Sequence, residues 1–262
     1  MSLTGKTPAD TYKDLLYVDN NNNGADSTIR RLKTGNGSAT GLELSTRNIR
    51  FSPDADSTAT LTVRDVDDDI KFNVDTTNDQ VKALGHHINT QYAYFGIGSS
   101  IFANATINQH IGIPFQGFPH SASTADNFEL GTSTDPATSF TTADGGNTDA
   151  SVVVPCLWFV PDNITIDSVT GIEGGDNATG DTTRMHLMSY DFTSGSTSCL
   201  TNGTVLASNS DVTNAGSEQA YLSTWTVDSS TVTAGKVILA FFRMDTVGDD
   251  PSVSITVKYH LT

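Results

Sequence analysis

Through the first 95 residues, apolar side chains occur two or three at a time on alternate positions and are separated by Asn, Asp and Gly. That is the period of half-exposed β-strands, not of helices. Residues 12–18 and 27–33 read as a hairpin across D-N-N-N-N-G at 19–24, because Asn and Gly supply the positive φ that tight hairpin turns need. A second turn, G-N-G at 35–37, leads into a strand at 41–45, and 48–51 continues with Ile49 and Phe51 on one face. Residues 59–64 and 70–75 repeat the design, with Leu61 and Val63 facing one way and Ile70, Phe72 and Val74 doing the same. Each strand offers too few apolar groups for a core, and an isolated meander of this kind is marginal in water. The pattern therefore asks for a covering surface from another chain or a larger body.

Residues 80–95, Q-V-K-A-L-G-H-H-I-N-T-Q-Y-A-Y-F, read as a hinge, with Tyr92, Tyr94 and Phe95 placed to pack about a three-fold axis. From about residue 96 the texture changes to strongly apolar strands between long polar loops. Strands are expected at 107–118, with a proline interruption, and, after a Thr/Ser/Asp/Gly-rich excursion at 121–150, at 151–160, 163–172, 183–192, 204–209, 221–227, 236–244 and 252–261. The nearly continuous apolar runs at 152–160 and 237–242 suit strands covered on both faces. About eight such strands predict a two-sheet antiparallel sandwich of jelly-roll type. The expected organisation is all-β in three parts: an N-terminal β region at 1–52, a prism-like β stem and hinge at 53–95, and a jelly-roll-like sandwich head at 96–262.

Composition agrees with this reading. Of 30 acidic residues only Glu43, Glu129, Glu173 and Glu218 are Glu, and Asp competes for backbone hydrogen bonds in turns where Glu favours helix. A net charge of −16 excludes a nucleic-acid backbone as partner, since phosphate binding rests on Lys and Arg. Residues 1–82 hold 13 acids against 10 bases, whereas the rest hold 17 against 4, so the two parts face different surroundings. No run approaches the roughly 20 apolar residues of a membrane span, and the start lacks a signal-peptide pattern. Two cysteines, Cys156 and Cys199, are not a disulfide framework, and Cys156 within V-V-V-P-C-L-W-F-V reads as a small core residue.

The spelling of the opening carries a resemblance. T-G-K-T-P at 4–8, D-L-L-Y-V-D at 14–19, the Asn-rich turn, G-A-D-S-T at 24–28, G-N-G and L-E-L-S at 42–45 resemble the N-terminal region of bacteriophage fibre and virion-appendage proteins. The segment T-V-T-A-G-K-V-I-L-A-F-F-R at 231–243, followed by S-V-S-I-T-V-K-Y-H at 252–260, is similar to the closing hairpin of sandwich heads on phage fibres. The resemblance implies a structural, non-enzymatic virion protein: a homotrimeric fibre or decoration made in the host cytoplasm. It would be held to capsid, neck or tail proteins by its N-terminal region. The alternative it allows is a receptor-binding tail fibre whose head recognises a host surface glycan, with Trp158 and Trp225 as the aromatic side chains to weigh.

Motifs that suggest chemistry have plainer readings. Gly5-Lys6-Thr7 lacks the earlier glycine, preceding strand and following helix of a phosphate loop. Residues 19–24 copy the first half of a calcium loop, yet Arg30 stands where the bidentate Glu belongs, so a turn is expected. Asp65, Asp67, Asp68 and Asp69 could gather a cation, but a solvated turn is the preferred reading. His86 and His87 are a metal candidate in a trimer, although neighbours on a strand point to opposite faces. No G-x-S-x-G elbow is present, and with so many acids a glycosidase-like pair carries no information. N-x-T or N-x-S sequons begin at Asn36, Asn104, Asn163, Asn177 and Asn202 and read as by-products of Asn/Thr-rich turns. Neither a cofactor nor a metal is expected.

Overall fold

The computed structural model describes residues 15–21, 23–98, 107–116, 128–143, 149–175, 179–213, 219–245 and 252–262. Gly5–Thr7, Asn104, Asn177, residues 121–127 and 144–148 of the 121–150 excursion, and the start of the first expected strand lie outside these residues. The chain forms two compact units, Met1–Ile88 and Asn89–Thr262. Strand dominates both, and the protein is all-β. Among the described residues no helix is long and apolar enough to cross a membrane.

The first unit is built from two four-stranded antiparallel meanders. One holds β1 (Leu16–Val18), β2 (Arg30–Thr34), β3 (Ala39–Leu44) and β4 (Ile49–Phe51), and the other β5 (Leu61–Arg64), β6 (Ile70–Asp75), β7 (Gln80–Ala83) and β8 (His86–His87). The expected G-N-G turn closes β2 on β3: Gly37 sits at φ 88°, its N–H donating to the Thr34 carbonyl at 2.8 Å. Only Gly adopts that conformation at no steric cost.

The second unit begins with β9 (Thr90–Ile97), which pairs along its length with the last strand, β20 (Ser252–Leu261). The boundary between the units, 88/89, falls within the segment expected as a hinge at 80–95. The first part of that segment closes the second meander and its last part opens the sandwich, so the second unit begins before the expected residue 96. Ala93, Phe95 and Ile97 point into the sandwich core, which removes Phe95 from any three-fold contact and leaves Tyr92 and Tyr94 exposed on the opposite face.

The remaining strands are β10 (Ile111–Ile113), β11 (Trp158–Phe159), β12 (Ile164–Gly175), β13 (Thr182–Phe192), β14 (Leu200–Ser208), β15 (Val212–Thr213), β16 (Gln219–Thr224), β17 (Thr226–Val227), β18 (Thr231–Val232) and β19 (Lys236–Met244). Eight principal strands form four nested antiparallel pairs: β9 with β20, β10 with β19, β12 with β16 and β13 with β14. Side-by-side contact of β12 with β20 and of β13 with β19 joins these into two sheets, ordered β16-β12-β20-β9 and β10-β19-β13-β14-β17. Nested pairing divided between two sheets is the jelly-roll topology. The strand expected at 221–227 is split between the sheets: β16 joins one and β17 the other, the chain crossing at Trp225.

Residues 151–160 depart most from expectation. They form a short helix α1 (Ala150–Val153), a 3-10 turn (Val154–Cys156) and only two strand residues. Pro155 has no N–H for a ladder, and burial of Val152, Val153 and Cys156 in a common cluster overrides the β-propensity of the valines. The other continuous apolar run behaves as expected. Ile238, Ala240 and Phe242 of β19 enter the core between the sheets, while Val237, Leu239 and Phe241 enter a second core on the sheet's outer face. That second core is roofed by Phe128, Leu130, Phe140 and α1. Residues 128–143 thus act as a strap across the sheet.

Candidate functional site

In the first meander, register fixes which side chains share a face. Leu16 lies opposite Thr34 and Val18 opposite Leu32, while Leu42 pairs with Phe51 and Leu44 with Ile49. Leu16, Val18, Leu32, Leu42, Leu44, Ile49 and Phe51 therefore lie on one side. The other side carries charges that satisfy each other: Glu43 bridges Arg31 and Arg50 at 3.3 Å each, Lys33 meets Asp19 at 2.7 Å, and Arg31 also reaches Asp54. The second meander repeats the division, with Leu61, Val63, Phe72, Val74, Val81 and Ala83 on one face by register. Among the described residues, neither apolar face is covered within the unit. Ile49 is 69% exposed, Leu16 54%, Val63 53% and Phe51 51%, and among the described residues Leu32 is the unit's one buried hydrophobic side chain.

The acidic turns of this unit are internally satisfied. Asn20 Nδ2 donates to the Gly24 carbonyl at 2.8 Å, and Arg30, which occupies the calcium-loop Glu position, pairs with Asp26. That guanidinium and the Thr28 N–H hold the Asp26 carboxyl below its usual range. In the 65–69 turn, Asp65 Oδ1 accepts the N–H groups of Asp67 at 3.1 Å and Asp69 at 2.9 Å, and Oδ2 meets Lys71 at 2.7 Å. The Lys71 ammonium is the main cause of a lowered Asp65 pKa. Asp68 pairs with Arg64 at 3.2 Å. Each cluster is a turn with its own counter-charges, and Asp67 adds one more exposed carboxylate. His86 is exposed and His87 half-buried on β8.

Both tryptophans are structural. Trp158 is buried and stacks on Phe115 at 5.7 Å with the rings 5° from parallel. Trp225 is 6% exposed, packs in the inter-sheet core and donates from Nε1 to Ser223 Oγ at 3.3 Å. Its burial closes the sugar-stacking role weighed for it. Cys156 and Cys199 are both free and buried, and burial pushes the Cys156 thiol up to about 12. The sequon residues within the described chain are engaged locally: Asn36 Oδ1 accepts from the Ser38 N–H, Asn163 Oδ1 from the Ala234 N–H, and Asn202 Nδ2 donates to Asp191.

Three buried titratable groups escape a reading of the sequence by motif. Glu173 on β12 faces the sandwich interior, 5% exposed; its Oε1 accepts from the Thr183 hydroxyl and its Oε2 has no partner among the described residues. Burial raises its pKa to about 7. His110 and His186 lie with their rings 5.0 Å apart at 72°, both fully buried. His110 Nδ1 lies 3.0 Å from the Gly131 carbonyl, while His110 Nε2 and both His186 nitrogens make no hydrogen bond among the described residues. Burial lowers their pKa values to about 4 and about 3, and the charges of Arg184 and Arg243 lower that of His186 further. Each of the three is a lone titratable residue among apolar or small neighbours, in G-I-E-G-G, H-I-G-I and M-H-L-M. That embedding is the available sequence signal.

Comparison with protein-family models and with curated proteins gives no match for this chain.

Proposed function

We propose that this chain is a structural, non-enzymatic protein of a virus particle. Three copies assemble through the first unit, which also docks onto other virion proteins, and the jelly-roll unit is displayed as a head. The observation that carries this reading is the pair of meanders whose apolar faces have no cover of their own. A single-layer sheet with one solvated and one apolar face is stable only when something buries the apolar side. Additional copies of the same chain supply that surface without a second gene product. The opening residues, with their resemblance to phage appendage proteins, give the same reading, and jelly rolls recur in viral coat and lectin domains.

Light scattering on the full chain tests the assembly, with a mass three times 27.8 kDa as the expected result. A monomer at micromolar concentration would remove the reading's main support. Placement on a particle is tested by labelling this chain in intact virions and locating it by cryo-electron microscopy. Recognition of a host glycan by the head finds no exposed aromatic platform at Trp158 or Trp225, both of which are buried.

A further inference from the structure

The strap at residues 128–143 is tied down at its first turn around one residue. The His110 N–H donates to the Gly131 carbonyl at 3.0 Å, and the His110 carbonyl accepts from the Leu130 N–H at 2.8 Å. Beneath it, on β13, His186 meets the His110 ring, and the strap's Asp135 reaches back to His186, Oδ1 lying 3.3 Å from Nε2. The charged groups around the pair come from three elements: Arg184 of β13, Arg243 of β19, whose Nη1 donates to the strap's Ser133 carbonyl at 3.1 Å, and Asp135 itself. Arg184 in turn pairs with Asp211 at 3.7 Å. Two neutral imidazoles are tolerable here, whereas two imidazolium ions against two guanidinium ions are not. Asp135, 57% exposed, is among the described residues the single carboxylate in contact with the pair, and water screens much of its charge. The same two arginines, and a carboxylate in contact with one ring only, argue against a divalent cation at this point.

We propose that the His110–His186 pair is an acid-sensitive latch that holds the strap on the sheet at neutral pH and releases it in mild acid while the sandwich stays folded. Release requires no covalent change. Opening exposes both rings, and each takes up a proton that the closed form refuses. The sign follows from the depressed pKa values of the closed form: the latch is complete above about pH 6.5 and weakens as pH falls. The inner core does not depend on the strap, because its residues come from the two sheets themselves.

The test is hydrogen exchange on the full chain at pH 7.5 and 5.5, corrected for intrinsic rates, read in peptides covering residues 128–140 and, as control, β20. With two protons linked to opening, the opening constant of the strap rises about 100-fold across that interval, while β20 keeps its protection. In His186→Gln the rise falls to about 10-fold, one proton having been removed from the linkage. Asp135→Asn changes an exposed residue, leaves folding intact and moves the opening midpoint to higher pH, which keeps the proposal testable if His186→Gln does not fold. Strap protection that ignores pH overturns the latch. So does loss of strap and β20 protection in step, which would make the transition global unfolding.

Discussion

Glu173→Gln offers the sharpest quantitative check on the interior of the sandwich. Glu173 is raised from an ordinary 4.5 to about 7 because β12 buries it between the sheets beside Val253 and Tyr221, with one oxygen bonded to Thr183 and the other to none of the described residues. The folded state therefore binds more protons than the unfolded one between those two values, and stability falls as pH rises through that window. At 1.36 kcal/mol per unit, the carboxylate costs about 3 kcal/mol once ionised above pH 7, and about 1.4 kcal/mol of that is already present at pH 5.5. Gln cannot ionise and retains an oxygen for Thr183. The variant's advantage over wild type should then grow by about 2 kcal/mol between pH 5.5 and pH 8. Urea unfolding followed by tryptophan fluorescence measures it, since both tryptophans, Trp158 and Trp225, belong to the second unit. Working lower is unwise near a pI of 4.4, where loss of net charge promotes precipitation. Taking the difference between variant and wild type cancels the histidines. A difference that stays flat across this range, or shrinks toward alkaline pH, would refute the argument.

Three further outcomes are expected. Gly203→Ala places a methyl 2.5 Å from the Tyr190 ring and 2.8 Å from Thr138 Cα; because the second contact is backbone, the variant should lose about 1–3 kcal/mol by the same urea assay, and an unchanged midpoint would contradict the packing. Cys156 and Cys199 should resist a thiol-reactive chromophore in the native state and both react after denaturation, with the melting temperature indifferent to reductant. An intact mass lacking two hydrogens would instead reveal a disulfide. Finally, Ile49→Asp combined with Phe51→Asp should reduce the assembled mass to that of one chain while leaving the tryptophan-reported unfolding of the second unit in place. Retention of the oligomer would place the interface elsewhere.

What could be read in advance followed the physics of each segment. Alternation with Asn/Gly turns located the meanders to within a few residues, because a half-exposed strand advertises its face and its turns require particular residues. β19 was legible as doubly covered because burial on both sides leaves no polar position from Val237 to Phe242. The same logic failed at 152–154, where three valines look like a strand but Pro155 and the outer core make a helix. Runs of apolar residues report burial and not the period of the backbone. Residues 80–95 read as a single hinge segment, whereas the partner that places Thr90–Ile97 in the sandwich, β20, lies some 160 residues away in sequence. Burial of His110, His186 and Glu173 is likewise set by long-range pairing, and that is why their chemistry was not visible as a motif.

These buried groups also make opposed demands on pH, which bears on any stability profile of the whole chain. Between about pH 4.5 and 6.5, unfolding releases up to one proton from Glu173 but takes up to two at His110 and His186. The net slope is thus positive, worth about one proton at most and roughly half of what the histidines alone would give. At pH 6.5 each unfolded histidine still holds about half a proton, so the slope stays positive until the contributions cancel near pH 7, above which it is almost level. The wild-type profile should therefore rise to a plateau at about pH 7. In Glu173→Gln the acid arm steepens toward two protons, whereas in His186→Gln the remaining histidine and Glu173 cancel near pH 5.5 and stability declines above it. A shallow wild-type profile would, on this account, reflect cancellation between two buried sites, and the two variants separate its parts.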